Sequence, residues 1–227
     1  MIAVRSLAGA SWEQLAAAFG EAFSDYAVPM TLTARQIEDM QRRRGYDAAG
    51  SFGAYDGDRL VGFVLTCRDG EVAYNSGTGV VPSHRRGGVA RALLDAVIAS
   101  VRPRRYVLEV LETNTKAIAC YRSAGFEETR RLECWTYRGG DRDALPELAA
   151  PDLAAIAAHA DVVPGWQNSL ASLARAIEPY VVIGDERGAA VVFPASGDLP
   201  LLAVSRDHRR RGLGKRLLAA AAARAGR

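Results

Sequence analysis

A segment that leads from an apolar run through arginines and glycines into a helix-forming run occurs twice in this 227-residue chain. The first copy is VVPSHRRGGVARALL at 80–94, and the second, 124 residues later, is VSRDHRRRGLGKRLL at 204–218. Valines favour a strand, the glycines favour a loop, and the spaced leucines favour an amphipathic helix. Two strand–loop–helix segments in one chain therefore predict an α/β fold class.

The residues before the first copy predict two helices and several strands. Ser11 with Gln14, and Thr33 with Gln36, have the spacing of a capping box, in which each side chain hydrogen-bonds the other residue's backbone N–H. We therefore expect helices to begin after Ser11 and Thr33, with Gly45 ending the second one. Strands are predicted over 2–7, in a hairpin within 51–66, and over 71–82.

After the first copy the sequence continues the alternation of helix and strand. A helix follows the loop, and a strand is expected over 105–111. The next helix begins at Asn114 and is closed by Gly125, a residue type typical of helix C-termini. Two further short strands are predicted within 126–138.

A polar stretch with glycines and a proline, 139–150, predicts a linker between two domains, 1–138 and 151–227. The second domain repeats the strand–loop–helix segment but has no counterpart of 104–138, so we interpret it as a truncated second unit. Its predicted helices lie at 151–160 and 168–177, and its predicted strands lie near 179–183, 189–194 and 200–204.

Composition narrows the class of protein. A net charge of +3 is too small to indicate nucleic-acid binding by itself. The three cysteines have neither metal-ligand spacing nor an even count, so we expect no metal, no disulfide framework and a reducing, cytoplasmic location. The N-terminus does not resemble a signal peptide, and no apolar run is long enough to cross a bilayer. We expect neither nucleic acid nor membrane as a partner.

The arginine–glycine loop has the properties of a site for a diphosphate. The N-terminus of a helix presents unpaired N–H groups and a positive dipole end, which together favour an anion. Gly87, Gly88 and Ala90 leave room for a phosphate oxygen, and Arg85 and Arg86 add positive charge. Neither the dinucleotide fingerprint nor a P-loop pattern is present. The alternative is a solvated basic helix start that binds nothing.

The pattern Arg85-x-x-Gly88-x-Ala90 resembles the coenzyme A pyrophosphate loop of the GNAT superfamily of N-acetyltransferases, and the resemblance extends over most of residues 1–138. It implies a GNAT fold, with a mixed central sheet flanked by helices and followed by a partial second GNAT-like repeat, as in tandem GNAT proteins. It also implies acetyl-CoA as co-substrate and the following cofactor-binding residues: Val80, Val81, Arg85, Arg86, Gly87, Gly88, Val89, Ala90, Asn114, Ala117 and Tyr121. A possible second cofactor loop contains Arg209, Arg211, Gly212 and Gly214.

A second motif lies at 114–126. Asn114, Ala117 and Tyr121 fall on one helix face, and together with Gly125 and Phe126 they match the GNAT pattern Asn-x-x-Ala-x-x-x-Tyr-x-x-x-Gly-Phe. In that family the asparagine and its helix lie along the pantetheine arm, and the tyrosine protonates the departing thiolate. Tyr121 would then be catalytic, whereas helical spacing alone would make it a core residue.

Direct acetyl transfer also needs an oxyanion donor and a base. The resemblance implies that the donor is the backbone N–H of Val80 or Val81. Glu109, predicted in the middle of a strand, corresponds to the base of the ribosomal-protein alanine acetyltransferases that this stretch resembles. The alternatives are a solvated glutamate at a sheet end, paired with an arginine such as Arg91, and a water chain as the base.

The segment FSDYAVPM at 23–30 connects the first two helices, and in GNAT folds this connection covers the acceptor pocket. The predicted substrate-binding residues are Phe23, Tyr26 and Met30 as walls and Asp25 as partner of an ammonium group. A loop that merely packs through its aromatic residues is the alternative.

These features predict an enzyme that transfers an acetyl group from acetyl-CoA to a primary amine of a small molecule or peptide, directly within a ternary complex. The alternative function is a non-catalytic acyl-CoA-binding sensor or partner-binding module. Nucleic-acid binding through the two loops is a third, less favoured hypothesis, because it would rest on the arginines alone.

Overall fold

A computed structural model of the protein describes residues 2–26, 30–137, 144–149 and 151–225. The chain divides into two compact units, Met1–Arg130 and Arg131–Arg227. Part of the predicted linker at 139–150 lies outside the described residues, and the predicted domain boundaries stay a prediction. Across the described ranges, no helix is both long and apolar enough to cross a membrane.

The first unit contains a mixed five-stranded sheet, as predicted. Its strands lie side by side in chain order, and all pairs are antiparallel except the last, in which the fourth and fifth strands run parallel. The strands are β1 (Ile2–Ser6), β2 (Phe52–Asp56), β3 (Arg59–Asp69), β4 (Val72–Val80) and β5 (Arg105–Leu108).

Helices cover both faces of this sheet, and the sequence signals that predicted them are confirmed. Ser11 and Thr33 each form a capping box, Gly45 caps the second helix in the left-handed conformation, and Gly125 follows the fourth helix. The helices are α1 (Trp12–Ala22), α2 (Ala34–Arg44), α3 (Val89–Val101) and α4 (Thr115–Ser123).

The core of the first unit lies in two layers, one on each side of the sheet. Phe19 of α1 and Ile37 of α2 pack with Phe63 on one side, and Leu93 of α3 packs with Val64 on the other. Because β3 is covered on both faces, it is apolar almost without interruption rather than alternating. This packing fixes β4, the neighbour of β3, between α1 and α3.

The last residues of β4 diverge from β5. The parallel pairing of the two strands stops at Asn75 and Leu108, and a bulge in β4 precedes the residues that continue to Val80. Gly79 allows the close packing here, because a Cβ atom at this position would lie 2.5 Å from the Phe63 ring. The end of β4 is therefore paired with β3 along one edge. Its other edge, from which β5 has diverged, is unpaired beside the start of α3.

Two strand predictions need correction. The strand predicted over 105–111 ends at Leu108, and no strand forms within the described part of 126–138, which ends at residue 137. Trp135 is 86% exposed in that stretch. Alternating apolar residues form a strand only when a neighbouring strand accepts their backbone hydrogen bonds, and the local sequence does not encode that neighbour.

The second unit contains a three-stranded antiparallel sheet with helices before and after it. The predicted helices and strands are present, with bounds that differ by a few residues. The order of two helices, three strands, a 3-10 turn and a helix is also found in the first unit from α1 to α3. The elements are α5 (Leu153–Ala157), α6 (Leu170–Ala174), β6 (Val181–Asp185), β7 (Gly188–Val192), β8 (Leu201–Val204) and α7 (Leu213–Arg224).

Candidate functional site

The start of α3 differs from the starts of most other helices. Five of the α-helices in the described ranges begin at a side chain that accepts a hydrogen bond from the first turn, namely Ser11, Thr33, Asn114, Asp152 and Ser169. By contrast, α3 begins at Gly88 and α7 begins at Gly212, and neither glycine can supply a side-chain cap. The first N–H groups of these two helices are therefore available to another acceptor.

The backbone around Gly88 keeps this helix start open. Gly88 has φ of 78°, in the left-handed region, and a Cβ atom placed on it would meet nothing within 4 Å. Arg86 also has a positive φ, of 65°. The small residue and the left-handed turn leave the backbone of the loop accessible from outside, as anion binding requires.

A cleft of about 770 Å³ lies at this helix start. Four structural elements meet around it: the end of β4, the arginine–glycine loop, the first turns of α3 and one face of α4. Its lining includes the predicted residues Val80, Arg85, Arg86, Gly88, Val89, Ala90, Ala117, Tyr121 and Asp25. The two sequence motifs, 80–94 and 114–126, are thus brought together in one cavity.

Arg85 lines the cleft, but its guanidinium is hydrogen-bonded to groups of the protein. Its Nε donates to the Val80 carbonyl at 2.9 Å, its two Nη atoms donate to the Asp25 carboxylate at 2.6 and 2.8 Å, and Nη2 also donates to the Ala22 carbonyl at 2.8 Å. The planar guanidinium suits this combination of a carboxylate and two carbonyls. Arg85 therefore ties the loop to the end of α1, whereas the sequence predicted that it would bind phosphate.

The carboxylate of Asp25 is therefore already paired with Arg85. Its hydrogen bonds from Arg85 lower the pKa of its carboxyl below the ordinary value, so the group is ionised and paired at neutral pH. The sequence predicted that this carboxylate would meet the ammonium group of an acceptor. In this structure it neutralises Arg85 instead.

The backbone at the end of β4 distinguishes the two predicted oxyanion donors. The N–H of Val81 donates to the Val61 carbonyl at 2.9 Å, so it is occupied by the sheet. Facing residues of an antiparallel ladder alternate between hydrogen-bonded pairs and pairs whose N–H groups point away from the partner strand. Val80, which faces Gly62, therefore directs its N–H away from β3, toward the side where β5 has diverged. Val81 cannot act as that donor while its sheet bond is made.

Tyr121 lies on α4 and lines the cleft. Burial is the main cause that raises the pKa of its phenol, and a hydrogen bond with the Thr78 side chain acts in the opposite direction. Its ring packs edge-to-face on Phe126, with the centroids 5.8 Å apart. The phenol is therefore protonated at neutral pH and held beside the cleft.

The other predicted site residues lie outside the cleft lining. Asn114 caps α4, because its side-chain oxygen Oδ1 accepts a hydrogen bond from the Ala117 N–H at 3.2 Å. Phe23 and Met30 pack against the core beneath α1, and Tyr26 packs edge-to-face on Phe23. This arrangement matches the alternative of a loop packed through its aromatic residues. Gly87 forms part of the loop without facing the cavity.

Glu109 stands at the end of the sheet rather than within a strand. It follows Leu108, the last residue of β5, and it is exposed. Its Oε2 accepts from the Tyr74 hydroxyl at 3.4 Å. Arg91, named as a possible partner of Glu109, instead pairs with Asp95 on its own helix at 2.8 Å.

Comparison with known proteins shows which protein family the unit with this cleft belongs to. The model of the acetyltransferase (GNAT) family matches residues 12–126, which include every residue of the cleft lining. The chain belongs to the GNAT family.

Two curated relatives are similar to this chain in sequence, and one solved structure is similar to it in fold. The chain is 33% identical over 111 residues to the [ribosomal protein bS18]-alanine N-acetyltransferase of Escherichia coli, with 42% of this chain and 74% of that protein aligned. It is 34% identical over 115 residues to the mycothiol acetyltransferase of Thermobispora bispora, covering 46% of this chain and only 39% of that relative's length. A solved structure from Pyrococcus horikoshii aligns with 100% of this chain and 78% of its own, at 14% identity and a TM-score of 0.68, which indicates a shared fold.

The GNAT cleft contains residues that the sequence motifs did not single out as site residues. Thr78 lies two positions before Val80, and the alternation of side chains along a strand is the signal that could have found it. Lys116 and Cys120 lie on the same helix as Ala117 and Tyr121. The remaining lining residues outside the prediction are Pro82, His84 and Arg91.

The arginine–glycine loop of the second unit has nearly the same geometry. Arg209 donates from Nε to the Val204 carbonyl at 2.8 Å, from Nη1 to Asp161 at 2.8 Å and from Nη2 to the His159 carbonyl at 2.7 Å. Gly212 has φ of 83°. A smaller cavity of about 290 Å³, lined by residues 158–161, 205–207 and Arg209, lies beside it. The predicted Arg211, Gly212 and Gly214 are not in that lining.

Within the described ranges, no group of three or more His, Cys, Asp or Glu side chains is arranged to hold a metal ion.

Proposed function

We propose that this protein transfers an acetyl group from acetyl-CoA to a primary amine of a small molecule or peptide, directly within a ternary complex. One observation carries the proposal: an uncapped helix N-terminus and a protonated tyrosine line the same cleft. Membership of the GNAT family supports it. The chain aligns with about two fifths of the mycothiol acetyltransferase it matches, so the activity of the whole protein is part of the proposal.

The residues of the cleft fit the diphosphate of acetyl-CoA. The free N–H groups at the start of α3 would donate hydrogen bonds to the phosphate oxygens, as the N–H groups of other helix N-termini do. Arg86 and Lys116 are exposed cations that line the cleft. Because Arg85 is bound to Asp25, these two side chains, rather than Arg85, would supply the charge. When bound, acetyl-CoA supplies an acyl group activated as a thioester.

The chain itself would act at two points of the transfer. As the amine nitrogen bonds to the acyl carbon, negative charge develops on the acyl oxygen, and the N–H of Val80 would donate to it. As the carbon–sulfur bond breaks, Tyr121 would give its proton to the departing sulfur. The raised pKa of Tyr121 suits this role, because an acid must still hold its proton at the working pH.

The proton lost by the amine needs an acceptor. Glu109 would take it directly, or through a water chain in which Glu109 only orients the first water. Its exposed position at the end of β5 is compatible with both routes, because water reaches it from solvent. A Glu109→Gln variant that loses rate most at low pH, where free amine is scarce, would favour the direct route.

We further propose that the second unit is a partial GNAT-like repeat. Its elements follow the same order as α1 to α3, and its loop repeats the arginine–aspartate pair and the left-handed glycine. We expect the first loop alone to bind acetyl-CoA, because α4 lines the cleft of the first loop, whereas within the described ranges no corresponding helix lines the cavity beside the second loop.

Ligand binding and turnover should be measured together. We expect acetyl-CoA to raise the melting temperature, and a panel of small amines and peptides to include at least one that releases free thiol. Tyr121→Phe should lower kcat at least 100-fold with little change in the Kd for acetyl-CoA. Tyr180→Phe, a matched loss of one phenol hydroxyl in the second unit, should leave both unchanged.

Other outcomes would point to the other functions. Stabilisation by acetyl-CoA without turnover of any amine would support a sensor. Salt-dependent DNA binding that is lost in Arg86→Ala would support the nucleic-acid hypothesis. Turnover that survives Tyr121→Phe would leave the transfer reaction standing but remove this tyrosine from it.

A further inference from the structure

The bulge in β4 consists of one extra residue, and it lies where the pairing with both neighbouring strands changes. Asn75 faces Thr66 of β3, and it is also the last residue of β4 that pairs with β5. The next paired residue, Gly77, faces Leu65, which directly precedes Thr66. Ser76 is therefore the extra residue. Such an insertion reverses the side to which every later residue of the strand points.

The packing on the sheet shows this reversal. Ala73, before the bulge, and Val80, after it, both pack in the core layer that contains α3. An odd number of steps along the strand separates them, and in a regular strand two such residues lie on opposite faces. Without Ser76, the same alternation would direct the N–H of Val80 toward β3 and that of Val81 away from it. The bulge therefore decides which of these two N–H groups is left free by the sheet.

The side chain of Asn75 holds the bulge from within the sheet. The residue is 3% exposed, and both ends of its amide are hydrogen-bonded to residues just beyond the bulge. Oδ1 accepts from the N–H of Gly77 at 3.0 Å, and Nδ2 donates to Oγ1 of Thr78 at 2.7 Å. The first bond closes an Asx-turn, in which an asparagine side chain replaces a backbone acceptor. A buried amide that is paired at both ends restricts its segment to one conformation.

Arg44 holds the extra residue itself. Its Nη1 donates to Oγ of Ser76 at 2.9 Å and lies 3.4 Å from the carbonyl oxygen of the same residue. Arg44 is the last residue of α2, which packs on the face of the sheet opposite α3. Two separate contacts thus stabilise the bulge, so removing one of them should loosen it rather than abolish it.

We infer that Asn75 is a positioning residue that fixes the register of β4 and thereby selects the N–H of Val80, rather than that of Val81, as the oxyanion donor. The inference rests on the proposed function of Val80 in acetyl transfer. Asn75 is not among the residues that line the cleft, so it acts through the backbone of β4. The N–H of Val81 donates to the Val61 carbonyl at 2.9 Å, a bond that requires the bulged register. A donor that is oriented before the ligand binds needs no reorganisation during the reaction.

The first test follows the backbone amides at the end of β4 by NMR in the isotopically labelled full chain. The scalar coupling across the hydrogen bond between the Val81 nitrogen and the Val61 carbonyl carbon reports the register directly. We expect Asn75→Ala to weaken this coupling and to make the Val81 amide exchange with deuterium at least tenfold faster. Asn75→Ser differs from that variant by one oxygen, which can accept from the N–H of Gly77, and should recover most of the protection.

Ser11→Ala is the control for lost stability. Its hydroxyl accepts from the N–H of Gln14 at 3.2 Å, at the start of α1, so the variant weakens the same unit through a helix cap. It should leave the coupling intact and accelerate exchange over the whole sheet alike. The inference would be overturned by an unchanged Val81 amide in Asn75→Ala, or by an acceleration spread as evenly as in the control.

A second variant keeps the test decisive if Asn75→Ala does not fold. Asn75→Cys fills more of the space, and a thiol is only a weak hydrogen-bond acceptor, so it should accelerate exchange at Val81 in the same way. This readout needs no turnover and therefore stands apart from the proposed function.

Kinetics supply the second readout. With an amine that turns over, Asn75→Ala should lower kcat at least tenfold and leave the KM for acetyl-CoA within about twofold, because an oxyanion donor acts in the transition state. Asn75→Ser should recover most of the rate. A rise in KM with unchanged kcat would overturn the positioning role. Wild-type protein that shows the expected coupling, lost in Asn75→Ala, but acetylates no amine would overturn the proposed function and support the role of Asn75 in the register.

Discussion

The two arginine–glycine loops of this chain share a backbone and differ in their surroundings. In both, an arginine ties the loop to a carboxylate and to two carbonyls, and a left-handed glycine starts an uncapped helix. The first loop opens on a cleft of about 770 Å³ that α4 completes with Tyr121 and Lys116, and the second borders a cavity of about 290 Å³. The conformation of each loop is therefore produced by the residues of the loop and the hydrogen bonds of its arginine. The size and lining of the adjacent cavity depend instead on the element that packs opposite the loop, which is α4 in the first unit.

The largest effect is expected from placing a branched side chain at the start of α3. Gly88→Val puts a β-branched residue at positive φ, which costs roughly 1–3 kcal/mol, and places methyl groups over the free N–H groups. We expect acetyl-CoA affinity, measured by calorimetry, to fall at least tenfold. Gly212→Val should destabilise its own helix start to a similar extent without changing that affinity. Equal losses of affinity would mean that both loops bind.

The next largest effect is expected from removing the hydrogen bonds that Arg85 and Arg209 make within their units. Arg85→Ala and Arg209→Ala each remove hydrogen bonds to two backbone carbonyls, which together contribute roughly 1–2 kcal/mol. We expect each variant to lower the free energy of unfolding in denaturant titrations by a similar amount. If Arg85→Ala abolished acetyl-CoA binding without any loss of stability, Arg85 would be a ligand-binding residue after all.

A smaller effect is expected from the charge that α4 adds to the first cleft. Lys116→Ala removes an exposed cation from the lining, and we expect roughly threefold weaker acetyl-CoA binding, with a shallower dependence on salt. Lys215→Ala, at the start of α7, is the matched control and should have no effect. A loss caused by Lys215→Ala would show that the second loop also takes part.

The smallest effect concerns pH. The pKa of Asp25 is lowered in the folded protein, so the carboxyl contributes stability at pH values above its unfolded pKa of about 3.9, and this contribution disappears as pH falls through the lower folded value. Asp25→Asn should therefore be less stable than the wild type at pH 7, and the difference should disappear as the pH falls through the lowered pKa of the folded state. The control is Asp58→Asn, in the exposed turn between β2 and β3. A stability difference that persists in acid would exclude ionisation of Asp25 as its cause.

Local signals in the sequence predicted the helix starts, because a cap and its partner lie three residues apart and form their bonds within one turn. Ser11 and Thr33 are such cases. The tie between Arg85 and Asp25 was not predictable in this way, since it joins residues that meet only after α1 and β4 have packed on β3.

Local sequence signals also could not predict which backbone N–H at the end of β4 is free. Whether the N–H of Val80 or that of Val81 is free depends on the register of β4 with β3, and a shift of one residue would exchange them. The end of β5 before Glu109 and the absence of strands over 126–137 depend likewise on which neighbours are present to pair. Sequence motifs identified several residues that line one cleft, whereas tertiary pairing determines which of their hydrogen-bonding groups are free.

The uncapped start of α3 has a further consequence, for hydrogen exchange. Amides without an acceptor exchange with solvent deuterium quickly, and a bound diphosphate would supply the missing acceptors. The amides of Val89 and Ala90 should therefore change from fast to slow exchange when acetyl-CoA is added. Those of Leu213 and Gly214 begin α7 under the same local conditions, so each molecule contains its own unliganded reference.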